Sequence, residues 1–214
     1  MSGALASRPQ AWRTATAMAA LGAYALALAA CGRAGPPPVT YVLGTPAAGA
    51  AGVEPLTGRP VVEVKPVLVP DHLDVSDILV RRAGNVVAPS PAGRWGERLS
   101  VGVTRAVAAG LVRHLPGFVV TATAPAERPA RQVLAEVEAF EPRADGIVVL
   151  VARWRVLDGA GRETLAGERV SSAQPVAGTG DGAVVAAMTR AVEGFAERVA
   201  AGVRRTTPGP RASR

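Results

Sequence analysis

The stretch GIVVLVARWRVL (146–157) constrains the chain more than any other. In an extended strand alternate side chains point to opposite faces. One face then carries Val148, Leu150, Ala152, Trp154 and Val156. The other carries Ile147, Val149 and Val151 before turning polar at Arg153 and Arg155. A strand apolar on both faces for half its length reads as a central strand covered on both sides there. The turn Ala144-Asp145-Gly146 precedes it and Asp158-Gly159-Ala160-Gly161 follows, both hairpin-type signals. RQVLAEVEAF (131–140), with Glu136 and Glu138 on one face, and TLAGERVSSAQ (164–174) flank it, so 131–174 reads as a three-stranded meander.

Two helices supply a cover. Over 96–115, Leu99, Val103, Val107, Leu111 and Leu115 recur every four residues and Pro116-Gly117 ends the run. A final helix follows Asp181, expected to cap it, with Val185, Met188, Val192, Phe195, Val199 and Val203 as its apolar stripe. Further strands are expected at 39–43, 61–69, 78–82 and 118–122, with 44–60 as a loop. Pro66 marks an edge strand or a bulge. The predicted fold is α+β, a two-layer sandwich: a mixed, mainly antiparallel sheet with two long helices packed on one face. Two helices cover one face well. The half-apolar second face, Ile147, Val149 and Val151, then meets a partner, a lipid or another copy, or lies under loop 44–60.

The first thirty residues read differently. Residues 1–13 contain Arg8 and Arg13 and no acid, and TATAMAALGAYALALAA (14–30) is uncharged. A positive start, a short apolar run and small residues make a secretory signal. The run is about 17 residues, the lower edge of what spans a bilayer, so a single-pass anchor is the alternative. The chain's one cysteine, Cys31, follows in LAACG. Leu-Ala-Ala-Cys resembles the bacterial lipobox, in which the thiol receives a diacylglycerol, the chain is cut before the cysteine and the new amino group is acylated. The alternative is a free thiol; an intramolecular disulfide is excluded. Each buried methylene contributes about 0.8 kcal/mol, and two lipid chains suffice for stable anchoring. Gly32 stands where an aspartate would signal retention at the inner membrane, which favours the outer membrane. Pro36 to Pro38 complete a tether over 31–38, the folded domain runs over 39–205, and a disordered basic tail is expected over 206–214.

The formal charge of +7 is largely terminal. Six of the 24 basic residues (Arg8, Arg13, Arg204, Arg205, Arg211 and Arg214) lie at the ends, leaving 18 against 17 acidic ones. No basic face interleaved with aromatics appears, which argues against nucleic acid. Catalytic signatures such as GxSxG, HExxH and Walker loops are absent, and His72 and His114 are the only histidines. Asp71, His72, Asp74 and Asp77 include metal-ligand types but match no metal loop, and aspartates also serve as turn and cap residues. No enzyme, metal or cofactor is predicted. Trp95 and Trp154 read as packing residues.

Four stretches, PPPVTYVLG, VEVKPVLVPDHLDVSDILVRR, RWGERL and VARWRVLDGAGRE, together resemble the ABC-type transport auxiliary lipoproteins, the group that includes paraquat-inducible protein C. Their order and spacing over about residues 31–205 carry the likeness. His72 departs from a common Tyr, Gly96 from Ala and Arg98 from Pro. The resemblance implies a lipoprotein facing the periplasm from the outer membrane. Its partners would be an MCE-domain protein and the associated inner-membrane permease and ATPase, in intermembrane lipid transport; a homo-oligomer is also allowed. The alternative is a lipoprotein that itself binds a small apolar ligand or envelope component.

Overall fold

The computed structural model describes residues 37–44 and 57–207. Cys31, the leader, most of loop 44–60 and nearly all of the tail lie outside them. The fold is the expected α+β sandwich, with its strands divided between two sheets. Strands β2 (Val61–Val64), β5 (Val119–Thr121), β6 (Arg131–Pro142), β7 (Ile147–Asp158) and β8 (Thr164–Pro175) form a five-stranded sheet in the order β5-β2-β6-β7-β8. β2 runs parallel to both neighbours, whereas β6, β7 and β8 are the antiparallel meander. Strands β1 (Val39–Tyr41), β3 (Asp77–Ala83) and β4 (Val86–Trp95) form the second sheet, in the order β1-β4-β3.

Strand β4 is not among the strands expected from sequence, and its Pro89 and Pro91 are residues that ordinarily argue against one. The structure accommodates them by geometry. β1 pairs only with Gly93 to Trp95, so both prolines lie where β4 has β3 alone as neighbour and no second ladder needs their missing N–H groups. Pro66 acts similarly. β2 stops at Val64, yet the segment beyond stays laced to β6: Lys65 N–H donates to Val133 O at 2.9 Å, Leu68 N–H to Ala135 O at 3.1 Å, and Val137 N–H to Leu68 O at 2.8 Å.

Helices α1 (Leu99–His114) and α2 (Gly180–Thr206) bury the expected stripes. Every apolar residue of those two stripes is buried. α2 lies on the inner face of β6 to β8, over Trp154, Leu150 and Phe140, and α1 packs beside it. Two glycines set the approach. A Cβ at Gly110 would stand 2.5 Å from the Ala196 methyl, and one at Gly202 would overlap the Trp154 indole. Asp181 does not cap α2. It sits in the first turn, where its charge suits the helix dipole, and its carboxylate accepts from the Ser90 hydroxyl at 2.8 Å.

The start of α1 is capped from a distance. Arg98 occupies the cap position without a side-chain bond, and Asp74 Oδ1 accepts the Ser100 N–H at 2.8 Å while its Oδ2 faces Arg98 at 2.8 Å. Burial pushes against the Asp74 charge, but the Ser100 N–H and the Arg98 guanidinium outweigh it and hold its carboxyl below the usual range. A folded-state value below the unfolded one stabilises the fold above the unfolded value, near 3.9, and the gain fades as pH falls through the folded value. Asp74→Ala is therefore expected to cost about 1 kcal/mol at neutral pH, as lost caps do. Urea unfolding at pH 7 and pH 3 checks this: the gap between wild type and variant should shrink at the lower pH.

Candidate functional site: the open face of the five-stranded sheet

The helices cover one face of the larger sheet and leave the other to side chains that alternate outward. At one end lie Ile147, Val149 and Val151, all half-buried. Their cross-strand neighbours are Ala139 and Glu141 on β6 and Pro175, Ala173 and Ser171 on β8. The smaller sheet is fastened at this end. Ala144 N–H donates to Arg81 O at 3.0 Å, and the Arg81 guanidinium grips the buried Glu141 carboxylate through two hydrogen bonds, that from Nη2 measuring 3.0 Å. The Glu141 bond raises the Arg81 pKa against its own desolvation, so the cation stays charged.

The middle of the face is an ion-pair ladder. Glu136, Arg153 and Arg169 are aligned across β6, β7 and β8. Glu138, at a bulge in β6, meets Arg153 at 2.9 Å and Arg169 at 2.6 Å. The Arg169 hydrogen bond, with both positive charges, lowers the Glu138 pKa against desolvation. Exposed pairs of this kind contribute little stability; they fix the pattern of charge that the face presents.

Beyond the ladder the face opens into a groove of about 750 Å³ between the Lys65–Leu68 segment and the outer side of β6 to β8. Its lining mixes Pro66, Leu68 and Leu134 with Lys65, Arg153, Arg155 and Arg169 as cations and Glu136 and Glu168 as acids. Leu68 keeps 66% of its surface exposed. It also borders a second groove, of about 610 Å³, against Val101, Thr104 and Ala108 of α1. No sequence signal marks Leu68, because the register that turns it outward is set by its ladder to β6. The one visible trace of the groove is the strand face turning polar at Arg153 and Arg155.

The remaining predicted candidates stand apart. His72, Asp71 and Asp77 are exposed around the 70–77 turn, and Asp74 serves α1. Among the described residues no three His, Cys, Asp or Glu side chains converge as metal ligands. His114 ends α1, where its carbonyl accepts from Arg204 at 2.8 Å. Trp95 and Trp154 are both core. No helix among the described residues is long and apolar enough to cross a membrane.

Among solved structures the chain is similar in fold to an uncharacterised protein at 19% identity, with a TM-score of 0.66 over 78% of this chain and 99% of the other. It is likewise similar to protein XCC0632 from Xanthomonas campestris at 17% identity, with a TM-score of 0.60 over 79% and 93%. No curated protein matches it. The model of the ABC-type transport auxiliary lipoprotein component family matches residues 41–200, which takes in β2 to β8, α1 and most of α2. The chain belongs to this family of auxiliary lipoproteins of ABC-type transport.

Proposed function

We propose that the protein is a lipid-anchored periplasmic subunit of an ABC/MCE-type intermembrane lipid transport system. Acyl chains on Cys31 hold it at the outer membrane, and the folded body docks an MCE-domain partner served by an inner-membrane permease and ATPase. The family match over 41–200, directly behind a lipobox-like Cys31 and a Pro-rich tether, is the observation that carries this reading. Two features support it. A family described as an auxiliary lipoprotein component of ABC-type transport points to binding rather than catalysis. The half-buried strip Ile147, Val149 and Val151 supplies apolar surface beside a rigid junction of two sheets, suited to the core of an interface.

Affinity capture of the full chain from detergent-solubilised membranes is expected to recover an MCE-type protein. Val149→Lys should lower that recovery about tenfold, the scale of one buried interface residue, while leaving the unfolding midpoint near wild type. Recovery of no MCE-type protein by the wild-type chain contradicts the reading.

A further inference from the structure

We propose that the groove beside Leu68 binds an anionic amphiphile, its acidic head on Arg155 and its acyl chain along Leu134, Leu68 and Pro66. The site is distinct from the strip assigned to the partner, and the inference goes beyond docking: the folded body itself handles a lipid-like molecule.

The volume of about 750 Å³ lies within the range of small-molecule sites. Its apolar wall is preorganised. Val67 faces the core at 2% exposure, so the alternation of an extended chain turns Pro66 and Leu68 outward. The hydrogen bonds of Leu68 to Ala135 and Val137 hold that register in place. Leu68 is thus kept in water by main-chain bonds that leave it nowhere to fold away, and Leu134 lies on the same outer face.

Charge selects the other half of the ligand. Among the groove's cations, Lys65 bonds Glu63 at 2.6 Å, and Arg153 and Arg169 share Glu138. Of the two acids, Glu168 faces Arg198 of α2 at 3.3 Å and Glu136 faces Arg153 at 3.6 Å. Arg155 has neither hydrogen bond nor ion pair among the described residues. Its neighbours in register are Leu134 on one side and Gly167 on the other. A Cβ at Gly167 would stand 2.9 Å from Trp154 O and 3.3 Å from Arg155 Cγ, so glycine leaves the flank of the arginine open. An unpaired guanidinium beside an exposed leucine wall matches a molecule with an acidic end and a hydrocarbon end. A small polar anion would leave the wall wet, and a neutral lipid would leave Arg155 unmatched.

The full chain in nanodiscs of zwitterionic lipid is irradiated with a hexadecanoate bearing a diazirine in its chain, and separately with the methyl ester of that probe. Cross-links are mapped by peptide mass spectrometry. The carboxylate is expected to label the peptides holding Leu68 and Leu134, and the ester to label them weakly. Arg155→Glu should cut carboxylate labelling there about fivefold, the scale of one exposed charge interaction, and Arg155→Lys should retain at least half. Leu68→Asp, at a position already in water, should lower it as well. Equal labelling by acid and ester, or labelling unchanged in Arg155→Glu, overturns the proposal. No MCE partner is present, so failure here is separable from failure of the docking reading.

Discussion

Trp154→Ala is expected to destabilise the fold by about 3–5 kcal/mol, the usual cost of deleting a large buried aromatic side chain. Trp154 is 1% exposed on β7, under α2, within the hydrophobic core cluster. Domains of this size have a total stability of only about 5–15 kcal/mol, so the loss is a large share of it. Among the described residues the indole Nε1 has no hydrogen-bond partner, so Trp154→Phe sacrifices area and no bond, and should cost far less. Gly202 faces the same ring. Gly202→Leu pushes a side chain into the indole and should cost about 1–3 kcal/mol or more, as overpacked cores do. The double variant distinguishes this packing from a general weakness of α2. A leucine at 202 fills the space a missing indole leaves, so the two costs should fall short of additive by about 1 kcal/mol. Urea midpoints of the four proteins measure the cycle, and strict additivity would mean that Gly202 and Trp154 do not constrain each other.

The second large effect concerns the leader. Cys31→Ser is expected to reduce incorporation of a labelled fatty acid to background and to leave the precursor uncut. A serine hydroxyl lacks the nucleophilic thiolate that the lipobox chemistry uses. Fractionation alone would mislead, because the uncut apolar run of about 17 residues is itself near the length that holds a chain in a membrane. Acyl labelling and precursor size are the appropriate readouts. A Cys31→Ser protein cut at the same bond and released as usual would contradict the assignment.

Much of the architecture was legible because period and punctuation agreed. The meander is legible from two turns and the three runs they separate, and both helices from stripes that are fully buried. Strand β4 was not legible. Its prolines speak against a strand, and only its position beyond the reach of β1 makes them harmless. The two sheets are joined by Arg81 with Glu141 and Ala144, contacts between segments far apart in sequence. The same holds for the groove. Arg153 and Arg155 stand out in the sequence where an apolar strand turns polar, but nothing singles out Leu68 within the expected strand 61–69. Its outward position is fixed by main-chain pairing to β6, which single-residue patterns do not encode. Asp74 shows a milder version: recognised as a turn and cap residue type, it caps a helix that begins well after its own turn.

The decisive observation is the mass of the native polypeptide extracted from membranes. The expected result is a chain that begins at Cys31 and carries diacylglycerol on the sulfur and a third acyl group on the new amino terminus. An unmodified thiol on a chain that retains its first thirty residues would contradict the membrane-tethered body described above.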